Sequence, residues 1–252
     1  MFPDPAPRPA ADERTAEAAT SPGHARLRAG FEVLVCSAYP TQLAIAGLLR
    51  LGGLAPLGPD GQLSAAFVFS LSLLDAVVLL GLVVYFIVRG GESPRRLFLG
   101  DRRVAREAAL GILLLPLIVA LVFAVLVAIQ GLMPGLRNVP ENPLGALTGT
   151  PLGLAGFLVV AIVAGGLREE LQRAFLLHRF ERHLGGAWVG VLVTSAAFGL
   201  GHTLQGWDAA IATGVLGLIW ALVYLRRRSV VAGVVSHALF NCAELLRAAL
   251  GG

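Results

Sequence analysis

Long apolar stretches recur along this chain at the length that crosses a lipid bilayer, and little else can be built from such a pattern. A membrane-spanning helix needs about 20 mainly apolar residues, with a range of roughly 17–25. Seven stretches qualify as candidates: Phe31–Leu51, Ala66–Val88, Ala109–Met133, Pro151–Phe175, Ala187–Thr203, Asp208–Leu225 and Val230–Leu250. The first is the weakest, because it carries Glu32, Pro40 and Gln42. In lipid every backbone polar group must be satisfied within the protein, so spans of this length are helices. The expected fold is all-α, a polytopic membrane bundle of about seven transmembrane helices. Of the 252 residues, 56% are hydrophobic and only 14% charged, which supports that class.

Charge then orients the bundle. All 20 basic residues are arginine, and they gather in short clusters between the apolar stretches. With a cytoplasmic N-terminus and seven spans, the loop Arg89–Arg106, the pair Arg179/Arg182 and the run Arg226–Arg228 all fall on the cytoplasmic side. The loops Gly52–Ala65 and Pro134–Thr150, which contain only Arg137, fall outside. This distribution serves membrane orientation and points away from nucleic acid. Residues 1–27, rich in Pro, Ala and charge, are expected to form a disordered polar tail. Residues 28–150 then hold the first three spans and residues 151–252 the last four. The absence of an internal repeat argues against an inverted-repeat transporter. Cys36 and Cys242 lie far apart in apolar stretches and suggest no disulfide framework.

Ionisable groups inside a bilayer cost several kcal/mol on insertion scales, so they normally face the protein interior and serve a function there. Glu169 and Glu170 end one apolar stretch, His202 lies in a second, and His237 and Asn241 lie in a third. His237 and Asn241 are four apart and share a helical face, as do Phe198 and His202. Glu169 and Arg173 have the same spacing and are expected to pair. Gly185-Gly186 marks the turn of a hairpin that would bring Glu169 and His202 to a common depth, roughly 25 Å from the turn. A Glu near two imidazoles can act as general base towards water, while the imidazoles hold a metal or stabilise an oxyanion, to which Asn can also donate. Asp75, midway along the second stretch, is a further ionisable residue with a functional role as its default reading. Taken singly, each group also has a plain structural reading. The glutamates could form helix-end ion pairs, and His237 with Asn241 could join helices. Trp188, Trp207 and Trp220 read as interfacial or packing residues, and Glu244 has Arg247 as a sufficient partner.

The three segments resemble the CPBP family of membrane proteases, which includes the CAAX and bacteriocin-processing enzymes of the Rce1-like group. That family shows Glu-Glu-x-x-x-Arg, Phe-x-x-x-His and His-x-x-x-Asn motifs in three successive helical regions. Phe198–His202 and His237–Asn241 match in full, whereas Glu169-Glu170-Leu171-Gln172-Arg173 has its arginine one residue early. The resemblance covers about Pro151–Leu250. It implies an integral-membrane endopeptidase acting on a peptide or membrane-protein substrate, with Glu169 as base and Glu170 as the alternative. Arg173 and Phe198 are implied as supporting residues, and His202, His237 and Asn241 as oxyanion or metal groups. The family is often called a metalloprotease, which implies a Zn²⁺ held by Glu169, His202 and His237, but relatives are also argued to use the Glu and His directly on water, and the resemblance leaves both readings open. A bacterial plasma membrane is the expected location. Two other functions compete: a non-proteolytic immunity or regulatory scaffold, and a proton-linked carrier built on Asp75, Glu169 and His237. No His-Glu-x-x-His and no Gly-x-Ser-x-Gly occurs.

Overall fold

The computed structural model describes residues 22–140 and 142–250, and among these it is a helical bundle. The helices are α1 (Pro22–Val35), α2 (Tyr39–Leu51), α3 (Ala65–Arg89), the short α4 (Pro94–Leu99), α5 (Val104–Leu132) and α6 (Pro151–Val160). A π-helical segment, Ala161–Arg168, joins α6 to α7 (Glu169–His183). The remaining helices are α8 (Ala187–Leu200), α9 (Trp207–Arg227) and α10 (Val231–Ala249).

Burial runs inside out relative to a water-soluble protein. Leu43, Leu113, Phe123 and Trp188 are each at least two-thirds exposed, whereas Glu32, Asp75, Glu107, Glu170, Arg173, Arg179 and His237 are buried. Lipid can cover the apolar exterior, and the ionisable groups must then find partners within the protein. This is an integral membrane protein.

Among the described residues, five helical stretches are long and apolar enough to span: Pro22–Leu51, Ala65–Arg89, Val104–Leu132, Pro151–His183 and Trp207–Arg227. Two of the seven expected spans, α8 and α10, fall outside this set by length or composition. Helix α8 is apolar but has only 14 residues, about 21 Å of rise against a hydrocarbon core of about 30 Å. Helix α10 is long enough at 19 residues, but Ser236, His237, Asn241, Glu244 and Arg247 dilute its apolar character. The first stretch starts earlier than expected and is broken: Ala38 adopts a left-handed φ of 75° between α1 and α2, and Pro40 follows at the start of α2. Pro22–Leu27 are helical and not part of a disordered tail; residues 1–21 lie outside the described residues.

The arginine clusters meet at one end of the bundle. Glu92, in the α3–α4 connection, receives bonds from Arg179 and Arg182 and contacts the His178 ring at 2.8 Å. Arg228 grips Glu181 with two nitrogens at 2.6 Å, and Arg227 pairs with Glu107. The backbone joins in, since Val230 N–H donates to Phe98 O at 2.8 Å. At the other end Asn138 accepts from Trp207 N–H at 3.0 Å.

Small residues set the helix spacing where the site is built. A Cβ on Gly199 would lie 2.6 Å from Ala210 O, so α8 and α9 touch backbone to backbone. Gly111 gives α5 the same approach to Ala232 on α10. The hairpin between α7 and α8 turns at Gly185-Gly186 as expected, with φ of 97° and 98°, a region L side chains rarely adopt.

Candidate active site

The site begins with a distortion. Just ahead of the two glutamates the helix widens into the π segment, where Gly165 and Gly166 lie against α10. A Cβ on Gly166 would meet Ala238 at 2.8 Å, and one on Gly165 would meet the Asn241 amide at 2.5 Å. Without side chains at 165 and 166, α10 comes close enough for His237 to reach the first turn of α7. Single-turn π distortions are frequent at functional sites.

Glu170 is the buried centre. Its Oε1 pairs with Arg173 on the next turn of α7 and accepts from His237 Nδ1 at 2.9 Å. The expected Glu169–Arg173 pair is thus corrected: Arg173 belongs to Glu170. An i,i+3 spacing places the two on one face just as i,i+4 would, and only packing selects between them. Gly233 makes room, since a Cβ there would lie 2.7 Å from Glu170 Oε2.

His237 is held from every side. Trp220 stacks on its ring at 3.7 Å with planes 16° apart, and Phe198 meets it edge-on at 5.9 Å. Trp220 Nε1 donates to Ser236 Oγ at 3.1 Å. The Arg173 guanidinium lies over Phe198 at 4.7 Å and over Trp220 at 5.7 Å. An ionised carboxylate can only accept, so His237 carries its proton on Nδ1 when neutral and leaves Nε2 as an acceptor. That Nε2 is 3.7 Å from Glu169 Oε2.

Glu169 is the more open of the two carboxylates, with 18% of its side chain exposed against 2% for Glu170. It lines a cavity of about 270 Å³ together with Arg168, Gln172, Arg173, Phe198 and His202, closed on the far side by residues of α1 and α2. His202 directs Nδ1 to its own Phe198 carbonyl at 2.8 Å, which leaves Nε2 as its second nitrogen, and its ring lies 4.9 Å from that of Phe198. Asn241 rests on Gly165 and is not part of the cavity wall.

Two neutral imidazoles and a carboxylate have the donor chemistry of a zinc site. Their arrangement does not: among the described residues no three His, Cys, Asp or Glu side chains gather as a metal site. The set Glu169, His202 and His237 therefore does not fit a metal in this conformation, and no chemical step is derived through one.

Several contributors escape a motif search. Trp220 is not interfacial but a buried platform for His237, and nothing in its local sequence marks it. Asp75 is fully buried. It bonds to Thr41 Oγ1 at 2.5 Å and lies 3.7 Å from Arg168, which is itself 3.7 Å from Glu169. Its signal was legible as a carboxylate midway along an apolar stretch. Arg168 also donates to Gln172 at 3.1 Å, and Gln172 donates on to Cys36 O at 2.8 Å, which ties α7 to the α1–α2 break. The Nε of Arg168 is buried with no hydrogen-bond partner among the described residues. Cys36 is buried, Cys242 is half-buried, and both are free. Glu244 pairs with Arg247 as expected.

Fold and site together define a polytopic all-α membrane protein with a carboxylate–imidazole–guanidinium centre in its interior. Residues 148–243 match the family model described as type II CAAX prenyl endopeptidase Rce1-like, and this part of the chain is similar to that family. That stretch runs from the turn ahead of α6 through Asn241 and contains every residue of the candidate site except those of α1–α3. No curated protein and no solved structure matches the chain.

Proposed function

We propose that this protein is an intramembrane endopeptidase that hydrolyses a peptide bond with a water activated by Glu169. The observation that carries this reading is the division of labour between adjacent carboxylates. Glu170 is paired with Arg173 and orients His237, whereas Glu169 is partly exposed and its countercharge, Arg168, stands off at 3.7 Å. The Glu169–His237 separation of 3.7 Å is beyond direct hydrogen-bond reach, and suits two acceptors sharing one water.

In this scheme a water donates to Glu169 and to His237 Nε2. Glu169 takes a proton as the water oxygen attacks the scissile carbonyl, forming the C–O bond and leaving the carbonyl electrons on oxygen. His202, which lines the same cavity, is assigned to that oxyanion and donates through Nε2 when its ring carries both protons; Asn241, outside the cavity wall, is assigned no step. Glu169 then returns its proton to the amine as the C–N bond breaks. Glu170, Arg173, Phe198 and Trp220 are positioning residues.

The family description supports a peptide with a CAAX-type C-terminus as the substrate. The arginine-rich end and the N-terminus of α1 are assigned to the cytoplasmic face, following the positive-inside rule.

The test is cleavage of a farnesylated CaaX peptide by purified full-length protein in proteoliposomes. Glu169→Gln should lower the rate by about 10²–10⁴-fold, the range for loss of a general base. A Glu169→Gln variant as active as wild type would refute the assignment.

A further inference from the structure

A second cavity of about 350 Å³ opens on the flank of the bundle near its arginine-rich end, behind the candidate site. Pro94, Phe98 and Leu99 of α4 form one wall, Leu167 and Leu171 the floor, and residues of α10 from Val231 to Val235 the other wall. Its one charged lining residue is Arg95. A groove of this kind, apolar inside and near the arginine-rich end of the bundle, suits a molecule with an apolar tail and an anionic head.

The charge at this end of the bundle selects the occupant. Arg95, Arg96, Arg102, Arg103, Arg106 and Arg226 are exposed and make no ion pair among the described residues. The acidic groups nearby are already committed: Glu92 to Arg179 and Arg182, Glu107 to Arg227, and Glu181 to Arg228. Asp101 alone remains to offset them. Juxtamembrane arginines attract anionic headgroups by about 1 kcal/mol each.

We propose that this groove is a binding site for one anionic phospholipid, its acyl chain against Phe98, Leu171 and Val234 and its phosphate on Arg95. The site is separate from the Glu169 cavity, which lies on the opposite face of α7, so the inference does not depend on peptidase activity. Occupation would brace the π segment and α10 from outside, because Leu167 adjoins Arg168 and Val234 is one turn from His237.

The experiment uses the full-length protein in detergent, titrated with phosphatidylglycerol or phosphatidylcholine of the same acyl length. Thermal unfolding and native mass spectrometry are the readouts. Phosphatidylglycerol should raise the melting temperature and remain bound as one retained lipid, whereas phosphatidylcholine should do neither. Arg95→Gln should weaken that retention about tenfold, and Val231→Trp, which fills the groove, should abolish it. Arg50→Gln, exposed at the end of α2, should leave it unchanged. Equal retention of both lipids, or wild-type retention by Arg95→Gln and Val231→Trp, would overturn the proposal. The same holds if a copurifying peptide, and no lipid, is retained.

Discussion

At the scale of single residues, the site depends on which charges are neutralised. Glu170 is buried against Arg173 and His237, so replacing it leaves a buried guanidinium without its carboxylate. Breaking a buried pair from one side costs about 3–5 kcal/mol. Glu170→Gln should therefore lower both thermal stability and peptide cleavage, whereas Glu169→Gln should lose cleavage with a melting temperature close to wild type. Comparing the two variants by unfolding and by peptide cleavage separates the roles; equal destabilisation would show that they are not divided as described. Trp220→Ala removes the face on which His237 stacks. A buried Trp truncated to Ala costs about 3–5 kcal/mol, and Trp220→Phe should recover most of the stability while losing the bond to Ser236.

At the scale of elements, the glycines decide how closely the helices meet. Gly111 faces the Ala232 carbonyl, with 2.7 Å available to a Cβ, whereas Gly165 faces the end of the Asn241 side chain. Backbone cannot retreat as a side-chain amide can. Gly111→Ala should thus lower the melting temperature by several degrees and more than Gly165→Ala does, as measured by thermal denaturation in detergent. Much of this level was legible beforehand. The hairpin turn at Gly185-Gly186 and the shared faces of Phe198/His202 and His237/Asn241 follow from local rules. The π segment did not, because it arises from contact between Gly165, Gly166 and a helix about 70 residues further along. Nor did the shortness of α8 as a span, since apolar composition alone says nothing about where a helix stops.

At the scale of the molecule, ion pairs clamp the arginine-rich end. Burial pushes the Glu92 carboxyl up, but hydrogen bonds and charge from Arg179 and His178 outweigh it and hold the group below its ordinary 4.5. A carboxyl depressed on folding contributes stability above its unfolded value, and that contribution is lost as pH falls through the folded value. Unfolding followed below pH 4.5 should therefore show an acid-dependent loss in wild type that is smaller in Glu92→Gln. Arg179 ties Glu92 to Glu32 on α1 at 2.5 Å from each, so Glu32→Gln should loosen α1 and raise hydrogen exchange there.

Composition and spacing by themselves determined that this chain is a helical membrane protein, that its arginines gather at one end, and which few polar residues deserved notice. Those properties are local or additive: transfer free energy, helical period and turn chemistry act residue by residue. The tertiary structure alone decided that Arg173 serves Glu170, that Glu169 faces the cavity, and that Trp220 carries His237. These are contests between partners equally available along the chain, and they are resolved only when helices far apart in sequence pack and exclude all but one pairing.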